Sequence, residues 1–412
     1  MKSEIRQSTI TALDDKVHKN KYGQYLKTIH INKLRGFENQ TINFDFPVTA
    51  LIGPNGGGKT TVLGACALLY KSMAPRNFFT KSQQFDLEMK NWSISYEALD
   101  RNTVKSTDTV KRTASFSRAR WNRDALEREV LFFGISRTLP AVERRDLLKF
   151  ADVHAAFGQE QINSLSPNAA SCISRILGKD VSKFQEVHTQ TNGEITLYTG
   201  KNDSGCTYSE FHFGAGESSV IRMVNAIEKI SDNGLILIEE IENGLHPVAA
   251  IKVVEYLITK AAEKSLQVVF TTHSEHVISL LPNDAIWASL NGKLQQGKLD
   301  IMSLRTLVGD VSAKLIIFVE DYFAQNWVLS MLRSNKDIAL EAISIYPMSG
   351  DGTAVSVQKN RKKDPSILIP SICVIDGDSK QDDDEELQIY RLCGEAPERY
   401  IFDSLMEPSD LM

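Results

Sequence analysis

The sequence predicts an α/β protein, and three observations carry that prediction. An apolar strand, a glycine-rich loop and a helix follow one another over 48–65. Helix and strand then alternate from 217 to 281, the rhythm of a parallel sheet. A second, smaller α/β rhythm begins near residue 313.

Taken in order, residues 1–25 are polar and mixed in charge and read as a tail or a short helix. The runs 29–34 and 41–46 alternate like strands around Arg35-Gly36-Phe37, which predicts a hairpin leading into the strand at 48–52. A helix over 61–74 should stop at Pro75. Strand-like runs follow at 92–98, 110–121 and 128–135, then helical segments over 141–186 broken at Pro167, then two strands at 194–198 and 208–212. Beyond 313 the pattern predicts a strand at 315–319, a helix at 323–333 and strands at 343–347 and 371–375. The expected domains are 26–308 and 313–412, with the boundary falling near 305–313.

Composition excludes several classes. With 412 residues, 42% hydrophobic and 24% charged, the chain has the make-up of an ordinary globular protein of two or three domains. A net charge of −5 gives no general support for nucleic-acid binding, although a local basic face is compatible with it. No apolar stretch reaches the length of a membrane span, and residues 1–24 lack the apolar core of a secretory signal. Cys66, Cys172, Cys206, Cys373 and Cys393 are scattered, which argues against a disulfide framework and a zinc knuckle. A cytoplasmic, reduced setting without membrane contact is the expectation.

The most specific signal is Gly53-Pro54-Asn55-Gly56-Gly57-Gly58-Lys59-Thr60, followed by Thr61. Glycines let backbone N–H groups turn inward around a polyphosphate, where a Cβ would obstruct the turn. Lys59 would place a cation at the β/γ-phosphates, and Thr60 would offer a hydroxyl to Mg²⁺. The helix that follows presents its positive end to the same anion. Leu235-Ile236-Leu237-Ile238 then ends in Glu239-Glu240, suited to holding Mg²⁺ (Glu239) and polarising an attacking water (Glu240).

At this point the chain resembles the ATP-binding cassette superfamily, in its SMC-like and OLD-like branch. Phe213-Gly214-Ala215-Gly216-Glu217-Ser218 is similar to the signature loop, which in that family reaches the γ-phosphate held by a second protomer. Residues 242–247 are similar to the loop after the catalytic acid, and Thr271-Thr272-His273-Ser274 to the switch-histidine strand. The resemblance covers about 26–285 and implies an ABC-type head with a β-lobe and a helical insert, ATP and Mg²⁺ as cofactors, and a head-to-head dimer. It assigns Asn55 to Thr61, Gly214, Gly216, Glu217 and Ser218 to nucleotide binding, and Glu240 and His273 to catalysis.

Two departures stand out: Glu239 replaces the usual aspartate, and Gly214 stands where the signature serine is expected. The hydroxyl donor must then be Ser218, Ser219 or none. Gln83 and Gln84 are candidates for the glutamine that couples nucleotide to conformation. The roughly 155 residues between the two loops are too few for a long hairpin arm at 1.5 Å per helical residue.

Near the C-terminus, Glu320 ends one apolar strand, and Asp376 and Asp378 end another on alternate residues, so both can reach one cation. This resembles the Toprim domain of topoisomerases, primases and OLD-family nucleases, with Gly350-Asp351-Gly352 as its glycine turn. Asp321 stands where that family has glycine, and Glu398 is the candidate for a later acid. The combination resembles the OLD family and the ATPase subunits of bacterial antiphage systems such as Septu. It implies an ATPase that controls a nuclease partner in trans. The alternatives are a self-contained Toprim endonuclease acting on DNA or RNA, and a repair ATPase without nuclease activity.

Overall fold

The computed structural model describes residues 5–82, 85–86, 89–105, 108–148, 150–151, 157–188, 195–201, 205–290, 292–297, 315–334, 338, 340, 343–364, 367, 369–394, 396 and 399–400. Gln83, Gln84, Glu194, Glu398 and the 305–313 boundary lie outside them. The described residues fall into two compact units. One lies within 1–52, 58–286 and 292–294, the other within 53–57, 287–291 and 295–412.

The first unit is built on parallel strands in the order Val48–Ile52, Gln267–Thr271, Leu235–Ile238, Val130–Phe133. The first three are buried at every residue, as uninterrupted Val, Leu and Ile runs require when both faces are covered. Helices Lys59–Leu68, Ala215–Lys229 and Pro247–Lys264 accompany them. An antiparallel lobe pairs Phe37–Asn43, Gln24–Leu34, Trp92–Asp100, Val110–Ser117 and Arg120–Arg123 in that order. Lobe and parallel sheet are joined by a buried polar knot. Fully buried Gln267 exchanges two side-chain hydrogen bonds with the backbone of Leu26, at 2.8 and 2.9 Å. Arg128 bonds the same Gln267, Tyr70 Oη and the carbonyl oxygen of Asn233. Such groups are tolerated inside because their hydrogen bonds are made; each one broken costs about 1–3 kcal/mol.

Several expected boundaries move, each for an identifiable reason. Residues 7–18 form a helix (Gln7–His18) that buries Leu13 and Val17. The helix after the glycine loop ends at Leu68, short of Pro75, because Arg123 Nη1 takes the carbonyls of Leu68, Tyr70 and Met73 at 3.0–3.2 Å. The run expected as one strand at 110–121 is a hairpin, since Arg118 and Ala119 adopt left-handed φ of 51° and 62°. Pro167 opens the Pro167–Leu177 helix instead of breaking one, with Ser166 Oγ capping the Ala169 N–H. The strand expected at 208–212 stops at Ser209, where Glu210 turns its side chain inward.

The second unit carries the parallel strands Ile343–Pro347, Leu315–Val319, Ser371–Ile375 and Ile389–Arg391, in that order. Helices Tyr322–Ser334 and Asp351–Lys363 belong to it. The expected strands are present, and Leu315–Val319 lies directly beside Ser371–Ile375.

Candidate functional site

The glycine loop is shaped by its own backbone. Gly53, Gly56 and Gly58 adopt φ of +144°, +77° and +97°, conformations that side chains resist, and the Gly57 N–H closes a turn onto Pro54 O at 3.0 Å. Asn55 and Gly56 are exposed at the tip. Lys59 opens the following helix and is 8% exposed. Burial lowers its pKa, while the carboxylates of Glu240 and Glu242 pull it back up. A partly desolvated cation of this kind gains strongly from an arriving phosphate. Thr60 is exposed beside it. Thr61 is buried, and its hydroxyl accepts from Arg35 Nη1 at 2.9 Å. That bond anchors the loop's helix to the lobe hairpin. Arg35 also bonds Phe78 O at 3.0 Å and lies over the Phe79 ring.

The acids follow the Leu235–Ile238 strand. The Glu239 N–H donates to Phe133 O at 2.9 Å, and the Glu240 N–H to Thr271 Oγ1 at 2.7 Å. Glu240 has φ of +43°, a left-handed conformation that costs a non-glycine residue on the order of 1–3 kcal/mol. Buried Arg137 holds that turn, donating to Glu239 O at 2.5 Å and Glu240 O at 2.6 Å. Burial lowers the Arg137 pKa, and Glu242, Glu240 and Glu239 oppose the shift. Glu242 accepts from Thr272 Oγ1 at 2.7 Å and from the His273 N–H at 2.6 Å. Three elements are thereby fixed together: the acid turn, the Gln267–Thr271 strand end, and His273.

The 213–218 segment needs a correction. Ser218 is buried and its hydroxyl donates to Glu210, which also takes Arg222 Nε at 2.6 Å and Nη2 at 2.5 Å. Ser219 is buried as well. Glu217 is paired with Lys179. Neither serine presents a hydroxyl outward, because both lie on the core face of the Ala215–Lys229 helix. Gly214 precedes that helix and is exposed.

Gly216 has a different duty. A Cβ there would lie 2.1 Å from Gly244 O, whereas one on Gly214 would meet nothing within 4 Å. Gly216→Ala should therefore push away the turn that carries Glu242. The expected results are a loss of roughly 1–3 kcal/mol in stability from overpacking, seen as a lower melting temperature, together with slower ATP hydrolysis. Gly214→Ala should leave the melting temperature unchanged; equal melting of the two variants would refute the close-contact role of Gly216.

In the second unit Glu320 is half-buried, Asp376 is buried and Asp378 is exposed. Glu320 Oε2 accepts the Asp376 N–H at 3.4 Å. Burial raises the Glu320 pKa, the Asp376 N–H opposes this, and Asp351, Asp321 and Asp378 add to the rise. Among the described residues no three His, Cys, Asp or Glu side chains stand as a metal-holding group. The expected three-acid group of Glu320, Asp376 and Asp378 is not seen as such among the described residues. Asp321 has a plain local role: its Oδ1 accepts the Ala324 N–H at 2.9 Å at the start of the Tyr322–Ser334 helix.

Two stretches of the chain match families of ATPase domains. Residues 28–139 match the AAA domain family and 155–278 match an AAA ATPase domain family. The chain is 24% identical over 302 residues to the Septu protein PtuA of Bacillus thuringiensis, covering 61% of this chain and 72% of that protein. It is 23% identical over 312 residues to the OLD nuclease of Thermus scotoductus, covering 60% of this chain and 59% of the relative. Over 111 residues it is 31% identical to the DNA replication and repair protein RecF of Rippkaea orientalis, covering 27% of this chain and 29% of that one. No described helix is long and apolar enough to cross a membrane.

Proposed function

We propose that this chain is the ATP-binding and hydrolysing subunit of a bacterial antiphage defence complex, pairing through its heads and governing a nuclease partner in trans. The observation that carries the ATPase part is the acid turn at 239–242, held by Arg137, Thr271 and Thr272, with its charges acting on Lys59. The likeness to a Septu protein across most of that relative's length supports the defence setting.

In this reading Gly56 to Lys59 would hold the triphosphate, and Thr60 and Glu239 would hold Mg²⁺. Bound Mg²⁺ supplies neutralisation of the charge on the transferred phosphoryl group. Glu240 orients and deprotonates water, and His273, tied to Glu242 through its backbone, faces the terminal phosphate. Because Ser218 and Ser219 are committed to the core, the contribution of 213–218 to a partner's nucleotide comes from backbone N–H groups at the start of the Ala215–Lys229 helix. The test is the mass of the purified protein in solution with and without ATP and Mg²⁺. Doubling of the mass on ATP addition is expected, and an ATP-independent monomer would remove the head-dimer part of the proposal.

A second reading, cleavage in cis, is favoured by one observation. Glu320 and Asp376 end adjacent parallel strands, and the Asp376 N–H donates to Glu320 Oε2 at 3.4 Å, which brings two acids of the expected site together. Plasmid nicking in Mg²⁺ or Mn²⁺ decides between the two. If the nuclease acts in trans, the protein alone leaves plasmid intact. Nicking by the parent that an Asp376→Ala, Asp378→Ala double variant abolishes would establish the cis site.

A further inference from the structure

We infer that Ser289 is a positioning residue for the phosphate loop, acting through the peptide bond between Gly57 and Gly58. The inference rests on that loop being the triphosphate cradle proposed above. Ser289 lies on the Ile286–Leu290 strand and is fully buried. Its Oγ donates to Gly57 O at 2.7 Å. In a planar trans peptide the carbonyl and the following N–H point in opposite directions. Holding Gly57 O on the Ser289 side therefore turns the Gly58 N–H away from Ser289, and in the proposed cradle it is this N–H that meets the anion. The hydroxyl touches no phosphate, yet it sets one of the donors that does.

The backbone of Ser289 supports the loop as well. Its carbonyl oxygen would lie 2.2 Å from a Cβ on Gly53 and 2.7 Å from one on Gly57. These two glycines are thus required by the residue behind the loop, independently of any nucleotide in front. Gly56 differs, since a Cβ there would meet nothing within 4 Å and only its φ of +77° demands glycine. The loop is held in its anion-ready form from behind, and preorganisation of this kind lowers the cost of binding.

The test compares the parent with Ser289→Ala, Ser289→Cys and Lys59→Ala, using ATP titration calorimetry, steady-state hydrolysis and melting of the nucleotide-free proteins. Ser289→Ala should weaken ATP binding about tenfold and raise KM by the same factor, as expected for one lost positioning hydrogen bond, with kcat at saturating ATP within about twofold. Ser289→Cys, similar in shape with a weaker donor, should fall between parent and alanine variant. Nucleotide-free melting should fall only by the modest amount that one part-buried hydrogen bond contributes. ATP affinity in Ser289→Ala equal to the parent's, while Lys59→Ala loses binding, would overturn the inference and leave the cradle intact. A fall in nucleotide-free melting that accounts for the whole affinity loss would also overturn it, assigning Ser289 to folding alone. Failure of the parent itself to take up ATP would remove the cradle reading and this inference together.

Discussion

Lys59→Ala should abolish measurable ATP binding, a loss of at least about 100-fold, or roughly 3 kcal/mol. The argument begins with burial. Lys59 sits at the first position of its helix, 8% exposed, where desolvation disfavours the ammonium and the Glu240 and Glu242 carboxylates partly restore it. A triphosphate adds negative charge on the same cation in a poorly solvated place, where a charge-assisted contact is worth far more than at the surface. Removing the side chain leaves Glu240 and Glu242 facing the phosphates without an intervening positive charge, so repulsion compounds the lost attraction.

The same geometry fixes the pH dependence. The free protein's Lys59 pKa is lowered from 10.5, and bound phosphate raises it, so ATP affinity is fully present below the lowered value. Affinity then falls as pH rises through it. Titration calorimetry across alkaline pH checks both statements: retained binding in Lys59→Ala, or an affinity that increases with pH, would contradict the assignment.

What the sequence revealed and what it concealed divide along a physical line. The places of the glycine loop, the acids at 239 and 240, and His273 in the fold were legible because each follows an apolar strand, and the chemistry proposed for them rests on residue type and local spacing. Ser289 was not legible. It is a lone serine in the run Ile286-Trp287-Ala288-Ser289-Leu290, and its partner Gly57 is 232 positions away, so only the folded chain brings them together. Arg137 was hidden for a similar reason. It is one of several arginines between 137 and 145, and nothing local marks it as the one that reaches the carbonyls of Glu239 and Glu240.

Ser218 shows the opposite failure. The motif left Ser218, Ser219 or neither as the hydroxyl donor, and buried Glu210 takes the Ser218 hydroxyl, since an inward carboxylate must find donors. The hairpin at Arg118-Ala119 escaped detection because neither residue is a usual turn former, so no Gly or Asn interrupts the alternation.

Glu240→Gln should leave ATP binding intact, slow hydrolysis by about 100- to 10,000-fold, and accumulate an ATP-bound dimer. The backbone at this residue is pinned on both sides. Its N–H is held by Thr271 Oγ1, and its carbonyl takes both Arg137 Nη2 and the Asn243 N–H. A conformation with φ of +43° would relax if those restraints were weak, so the fold spends stability to keep this carboxylate in one place. Glutamine preserves side-chain length and the restraints on the main chain, and removes only the negative charge that accepts a proton from water. The neighbouring acids cannot substitute readily. Glu242 is committed to Thr272 Oγ1 and the His273 N–H, and Glu239 is the residue proposed for Mg²⁺. Single-turnover hydrolysis and light scattering on the variant test the claim together. Hydrolysis at the parental rate would show that Glu240 does not activate the water. Slow hydrolysis with no gain in mass on ATP addition would separate the chemistry from pairing and leave only the former to this residue.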